Sequence, residues 1–463
     1  MAKEIIKMET AEYTNSKIEK ENYLFNNKDL FKLFIPIIIE QFLEFSVGLI
    51  DSIMVAHVGE PAVSGVSIVD MVIALFISIF VSISTGGAVI IGQYLGAKDK
   101  ENSKKSASQL VWFLGILSII IMIILYLIKN IILTKLFSIE ADVYDNANIY
   151  FLIVAASIPF LALYNGGAAI FRSIGNSKLP MKIMFIMNLL NIFGNAIFIY
   201  GFKFGVSGVA IPTLVSRIGA ALIIIILALN KNNIVYLERT FKYKFDKYML
   251  KRILNIGIPY GLENGMFYFG RIIVLSLVAM FGTVAIAANS VATNIVVFQV
   301  LPGMSMGIGL TVVISRCVGA NDYKQAKYYT KKIMGIIYIG QIISSVIVLA
   351  LLPLALKIYS LSAETTDLIY KLSWMHAIAM IIVWHLGYSL PVVLRASGDA
   401  KFPMIVSSLS MILCRIVLAY ILGLYFNLGV IGTWIAMFVD WIVKGIIFVW
   451  RYLSGKWTAF KSI

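Results

Sequence analysis

Twelve apolar stretches, each long enough to cross a bilayer, divide the chain near residues 31–56, 63–92, 107–128, 145–171, 180–201, 208–229, 256–281, 286–315, 333–356, 368–394, 402–424 and 429–450. In hydrocarbon no water is available to the backbone, so each stretch must satisfy its own N–H and C=O groups, and helix is the state that does so. A soluble fold could not hide these stretches. Hydrophobic residues are 60% of the 463 and charged residues 14%, against roughly 45–50% and about 25% in soluble domains. The expected fold is therefore an all-α integral membrane protein with twelve transmembrane helices. Disorder, a disulfide scaffold and a cytosolic enzyme are excluded.

The basic residues are distributed unevenly between the loops. Of the 39 Lys and Arg, 30 fall in alternate connections and the two terminal segments, 5 fall in the remaining connections, and Arg217, Arg271, Arg415 and Lys444 lie inside spans. Basic loops stay on the cytoplasmic side. The expected location is the inner or plasma membrane, multi-pass, with both termini cytoplasmic and an even number of spans. The net charge of +15 is thus a topology signal, and no nucleic-acid partner is expected. No cleavable leader precedes Leu30, so the first span is expected to start insertion.

The chain also repeats itself. Pro36, Glu40, Gly59, Gly96, Ala97, Asp99, Arg172, Gly175, Lys178 and Pro180 recur as Pro259, Glu263, Gly282, Gly319, Ala320, Asp322, Arg395, Gly398, Lys401 and Pro403, each 223 residues later. The G-V-S-G at 205–208 matches the G-V-I-G at 429–432 at an offset of 224, so one residue has been inserted. Each copy holds an even number of spans. The copies are therefore parallel, related by a pseudo-twofold axis along the membrane normal. The expected organisation is a cytoplasmic segment at 1–30, a six-helix lobe at 31–230, a basic linker at 231–252 with an amphipathic stretch on the inner leaflet, a second lobe at 253–452 and a tail at 453–463. Two lobes facing a central cleft can rock to expose it to each side in turn, which favours a transporter.

Enzyme chemistry has no footing here. There is no phosphate loop, no H-E-x-x-H, no C-x-x-C and no G-x-S-x-G. The three histidines and the two cysteines, Cys317 and Cys414, lack metal-ligand spacing. No cofactor is expected beyond a coupling ion, Na+ or H+, and the chain is expected to work as a monomer with a small organic substrate in the lipid bilayer.

Charges inside spans carry the functional reading, because each costs at least ~2.5–3.5 kcal/mol at mid-bilayer. Glu40, Glu44 and Asp51 share one face of the first span, over roughly 16 Å of helix. Three like charges in low dielectric cannot all ionise cheaply, which suits a proton or sodium carrier. In the second copy Glu263 repeats Glu40, while Phe267 and Val274 replace Glu44 and Asp51. Arg271, about 80° around the helix from Glu263, reads first as a structural counter-charge. Asn188, Asn191 and Asn195 line one helical face, either bonding helix to helix or facing the acids to hold a cation. The expected coupling set is Asp51, Glu40, Glu263, Asn191 and Asn195. The expected substrate cavity is Glu44, Asn188, Tyr260, Phe267, Arg271, Phe298 and His385. Asp440 and Lys444 are expected to neutralise each other, Asp70 to be structural near an interface, and Arg217 and Arg415 to cap carbonyls or pair with acids.

Several motifs resemble those of the multidrug and toxic compound extrusion (MATE) family. They are the first span P-I-I-I-E-Q-F-L-E-F-S-V-G-L-I-D-S-I-M-V-A-H-V-G, the loops G-Q-Y-L-G-A-K-D and S-R-C-V-G-A-N-D, and the turns F-R-S-I-G-N-S-K-L-P and L-R-A-S-G-D-A-K-F-P. The resemblance implies a V-shaped, twelve-helix exporter driven by inward sodium or proton flow. It implies that Asp51 corresponds to the first-helix coupling aspartate and that Glu263 resembles the seventh-helix glutamate. The tenth-helix acid of some sodium-linked members is missing from V-W-H-L-G-Y around Trp384 and His385. The expected function is a cation-coupled antiporter of cationic or amphipathic organic compounds. A lipid-linked saccharide flippase of the same superfamily and a non-transporting receptor or channel are the alternatives.

Overall fold

The computed structural model describes residues 23–136, 141–238, 245–359 and 361–463. Residues 1–22 of the expected N-terminal segment and 239–244 of the expected linker lie outside the described residues. The chain runs through α1 Asn27–Ala56, α2 Glu60–Gly96, α3 Lys100–Lys135, α4 Val143–Ala156, α5 Ile158–Ser173, α6 Lys178–Gly201 and α7 Ser207–Ala228. It continues through α8 Lys247–Ala279, α9 Thr283–Gly319, α10 Tyr323–Lys357, α11 Ala363–Ser397, α12 Lys401–Tyr425 and α13 Gly429–Leu453. No strand occurs among the described residues. Eleven of these helices are long and apolar enough to cross a membrane, and α4 with α5 forms a twelfth span bent by 42°. Pro159, in the first turn of α5, lacks an amide donor for the preceding turn and accounts for the bend.

Most helices outrun their apolar stretches, because charged residues cap and solvate the ends. α10 begins at Tyr323, ten residues before its apolar run. Asp99 accepts the Asn102 amide at 3.0 Å and Asp322 accepts the Gln325 amide at 2.8 Å, the same N-cap in both copies. The Asn102 amide holds the Asp99 carboxyl below the usual carboxylate range.

The 223-residue register reaches the backbone torsions. Lys98 and Asn321 both turn left-handed, at φ 61° and 57°, and so do Gly175 and Gly398, at 87° and 111°. Lys203 and Asn427, at 58° and 55°, keep the 224 offset. Wide π-type turns keep the register at one pair only, and Ile131–Leu136 on α3 and Met380–Trp384 on α11 have no such turn 223 residues away. Ile197–Gly201 on α6 is matched by Ile421–Tyr425 on α12, but Met411–Val417 on α12 faces only regular helix in α6. The inserted residue is absorbed there as a π-bulge.

The halves, 23–238 and 245–463, are joined at the end that carries the basic loops. α2 and α9 cross so closely there that a Cβ on Gly96 would meet the Arg316 carbonyl oxygen at 2.0 Å and one on Gly319 the Gln93 carbonyl oxygen at 1.9 Å. The side chains swap across the axis. Gln93 Nε2 donates to the Ala396 carbonyl at 3.0 Å, and Arg316 Nε donates to the Ser173 carbonyl at 3.0 Å. The chain's own flanks reinforce this end. The Leu24 amide donates to Gln325 Oε1 at 2.9 Å and the Phe25 amide to the Tyr329 hydroxyl at 3.0 Å. From the other side, Trp457 is fully buried and the Ser462 amide donates to Gln93 Oε1 at 3.1 Å. One continuous buried core accordingly runs from the first half into Leu310, Tyr329, Leu394 and Trp457 of the second. The rest of the second half packs in separate clusters around Leu372 and Trp441.

Candidate transport site

Half-to-half contacts extend from the basic end to Ser82, whose Oγ accepts from Asn264 Nδ2 at 3.0 Å, and to Phe42 and Phe298, whose rings lie 6.3 Å apart. Further along the helices the charged side chains Glu44, Asp70 and Arg271 keep accessible surface inside spans, where a charge faces a cavity and not lipid. Residues lining a cleft between the halves have this environment.

The first half builds a polar cluster on its wall of the cleft. Asn195 Nδ2 donates to Asp51 Oδ1 at 2.7 Å and to Asn191 Oδ1 at 3.3 Å, and Asn191 Nδ2 donates to Thr213 Oγ1 at 3.0 Å. Thr213 Oγ1 donates onward to the Val209 carbonyl at 2.9 Å, which fixes its rotamer. Helices α1, α6 and α7 thus meet through three uncharged side chains and one carboxylate. Asn195 Oδ1 is buried and has no hydrogen-bond partner among the described residues, an arrangement that needs a donor or a cation. Oxygen donors of this kind suit hard cations.

Asp70 belongs to the same neighbourhood. It accepts the Tyr150 hydroxyl at 3.0 Å and lies in the electrostatic field of Asp51. Arg217 carries the nearby positive charge of this wall, and its Nη1 donates to Ser157 Oγ at 2.7 Å. The sequence signal for Asp70 was its isolation in the otherwise apolar stretch 63–92.

Glu40 and Glu263 sit elsewhere, each in an ion pair. Arg172 Nη2 reaches Glu40 Oε1 at 2.6 Å, with the Tyr164 hydroxyl donating to the same oxygen at 2.9 Å. Arg395 Nη1 reaches Glu263 Oε2 at 2.8 Å, with Ser407 Oγ donating to Oε1 at 2.8 Å. Both partners of each pair lie in the 223 register, and that was the available signal for the pairing. Glu263 is therefore engaged by Arg395, and Arg271 is not its counter-charge.

The remaining expected residues spread over the walls. Asn188 Nδ2 donates to the Leu43 carbonyl at 3.1 Å, tying α6 to α1. Tyr260 lies beneath the Arg395 guanidinium at 4.4 Å and Phe267 beneath that of Arg415 at 5.4 Å. His385 packs edge-on to Tyr338, ring centroids 5.5 Å apart. Asp440 and Lys444 do neutralise each other, Oδ2 to Nζ 2.8 Å, with Ser410 Oγ donating to Asp440 Oδ1 at 2.6 Å. His376 Nδ1 and Gln299 Oε1 form a buried hydrogen bond of 2.6 Å.

Known proteins share this architecture. The MatE family model matches residues 36–197 and 259–421; the two segments begin 223 residues apart and end 224 apart, as the repeat with its insertion requires. The chain is 30% identical to the uncharacterized transporter YisQ of Bacillus subtilis, over 92% of this chain and 94% of that one. It is 25% identical to the probable multidrug resistance protein NorM of Thermotoga maritima, covering 93% of each. A solved structure described as the outward-facing conformation of a multidrug resistance MATE family transporter superposes with a TM-score of 0.87 at 22% identity, over 94% of this chain and 97% of that one. With both copies of the family's unit present and a relative at 30% identity along nearly its whole length, the chain belongs to the MatE family.

Proposed function

We propose that this protein is a multidrug exporter that moves amphipathic organic compounds out of the cell by alternating access, driven by the inward flow of Na+ or H+. The single observation that carries the coupling assignment is the bond from Asn195 Nδ2 to Asp51 Oδ1 at 2.7 Å beside the unpartnered Asn195 Oδ1. A cation taken up between these oxygens neutralises Asp51 and tightens α1 against α6. Substrate and ion then compete through the position of α1, and each favours a different lobe arrangement. The names of relatives, several of them probable multidrug resistance proteins, support the substrate class. In this reading the basic end is cytoplasmic, the cleft faces outward, and one chain in the bilayer suffices.

The test is dye efflux from proteoliposomes under separately imposed sodium and pH gradients. One of the two gradients is expected to drive export, and Asp51→Asn to abolish driven export while the protein still inserts and folds. Export that ignores both gradients, or an Asp51→Asn protein with full driven efflux, rejects the assignment.

A further inference from the structure

The two walls of the cleft descend from one ancestral wall and now carry opposite charge. At an offset of 223, Glu44, Gly48 and Asp51 correspond to Phe267, Arg271 and Val274. At 224, Asn191 corresponds to Arg415 within the π-bulge, and past it Asn195 and Thr213 correspond to Ala419 and Met437. Every oxygen ligand of the cation cluster is gone from the second half, and two arginines have entered. The bulge Met411–Val417, which has no counterpart in the first half, is the segment that presents Arg415. A bulge of this kind re-aims the side chains around it and is frequent at functional sites.

Both arginines belong to the inner wall. Ile258, Leu262, Phe269 and Ile272 form one accessible apolar stripe on α8, and Arg271 lies on the opposite side of the helix with Phe267, one turn before the accessible Leu275. Arg415 covers the Phe267 ring at 5.4 Å, and Phe267 precedes Arg271 by four residues on α8, so the ring and both guanidinium groups share one stretch of the wall. The acids nearest in sequence position are engaged, Glu263 by Arg395 and Asp440 by Lys444. Neither Arg271 nor Arg415 has an ion-pair partner among the described residues. Charges at membrane depth are normally paired or functional, so two adjacent unpaired cations form a site that wants an anion.

We propose that Arg271 and Arg415 form an anion subsite that takes a carboxylate or sulfonate on the exported compound. The planar guanidinium fork matches such groups with two parallel hydrogen bonds. Glu44 lies across the cleft and receives the basic end, and the aromatic wall of Phe267 and Tyr268 receives the apolar body between. The preferred cargo is thus an amphipathic zwitterion. This deepens the exporter reading and rests on it for the word cargo; the binding itself does not.

A matched dye pair tests it. Rhodamine 110 carries a free carboxylate, and rhodamine 123 is its methyl ester, cationic and otherwise the same. Binding to the purified full chain is measured by fluorescence anisotropy in low-chloride buffer. The acid is expected to bind at least about tenfold more tightly than the ester. In the double variant Arg271→Gln, Arg415→Gln that ratio falls to near one, and the double Arg→Lys variant retains part of it. Thermal unfolding of the Gln variant is expected at or above the temperature of the unmodified chain, because an unpaired charge has been removed; a purely structural role would lower it. An acid-to-ester ratio near one in the unmodified chain, no binding of the acid, or a ratio unchanged by the Gln variant overturns the proposal. Gradient-driven efflux of both dyes is measured in parallel. If neither is exported while the acid preference in binding stands, the exporter reading fails and the subsite survives.

Discussion

Glu40 and Glu263 show how little a residue type in a span says about its task until its partner is known. Glu40 is fully buried, with Arg172 and Tyr164 both on one oxygen. Removing one member of such a pair leaves a charge stranded in low dielectric and costs about 3–5 kcal/mol, whereas replacing both with apolar groups is near neutral. Glu40→Leu alone is therefore expected to lower the thermal unfolding temperature in detergent well below that of the double variant Glu40→Leu, Arg172→Met. Asp51 has no guanidinium on it, only the Asn195 amide. Asn195→Ala is expected to leave the fold intact and to raise the ion concentration needed for half-maximal driven efflux, read as a shifted sodium or pH titration. The sequence made the acids of α1 legible as one face but not their division of labour, because helical spacing fixes direction and not the identity of the neighbour. The register placed Glu40 and Arg172 in the same repeating set, yet contact between residues 132 positions apart is a property of the folded bundle.

At the scale of helices, the apolar stretches were legible to within a few residues at most ends. The largest misses have local causes. α10 runs ten residues further because lysines tolerate the helix end, and the fourth span breaks at Ser157 because Pro159 follows. The π-bulge in α12 was legible only as an offset that slipped from 223 to 224; hydropathy carries no trace of a wide turn. The crossing of α2 and α9 is governed by two glycines that meet backbone oxygens, not flexible side chains. Gly319→Ala forces the helices apart, and overpacking of this kind costs about 1–3 kcal/mol. The expected result is a lower unfolding temperature together with a basic end that opens more readily, measured by labelling of a cysteine placed at Gln93.

For the molecule as a whole, the register predicted two copies related by a common axis, and the swapped bonds of Gln93 and Arg316 are the contacts such an axis produces. In the proposed alternating-access cycle they also mark the end that must part. With Cys317 and Cys414 first replaced by serine, a cysteine pair at positions 93 and 396 is expected to crosslink under mild oxidant. Driven efflux should then stop, with dye binding retained, and return on reduction. Efflux undiminished by a complete crosslink would rule out separation of the halves at this end.

The final turn of the chain adds a consequence for anyone watching the protein work. Trp457 stacks on Tyr452, ring centroids 5.5 Å apart, and Lys461 and Ser462 continue from it into the seam between the halves. Parting the seam has to pull that anchor loose and wet the indole. In a version keeping only this tryptophan, each turnover would register as a red-shifted flicker of emission, so the transporter carries its own optical clock.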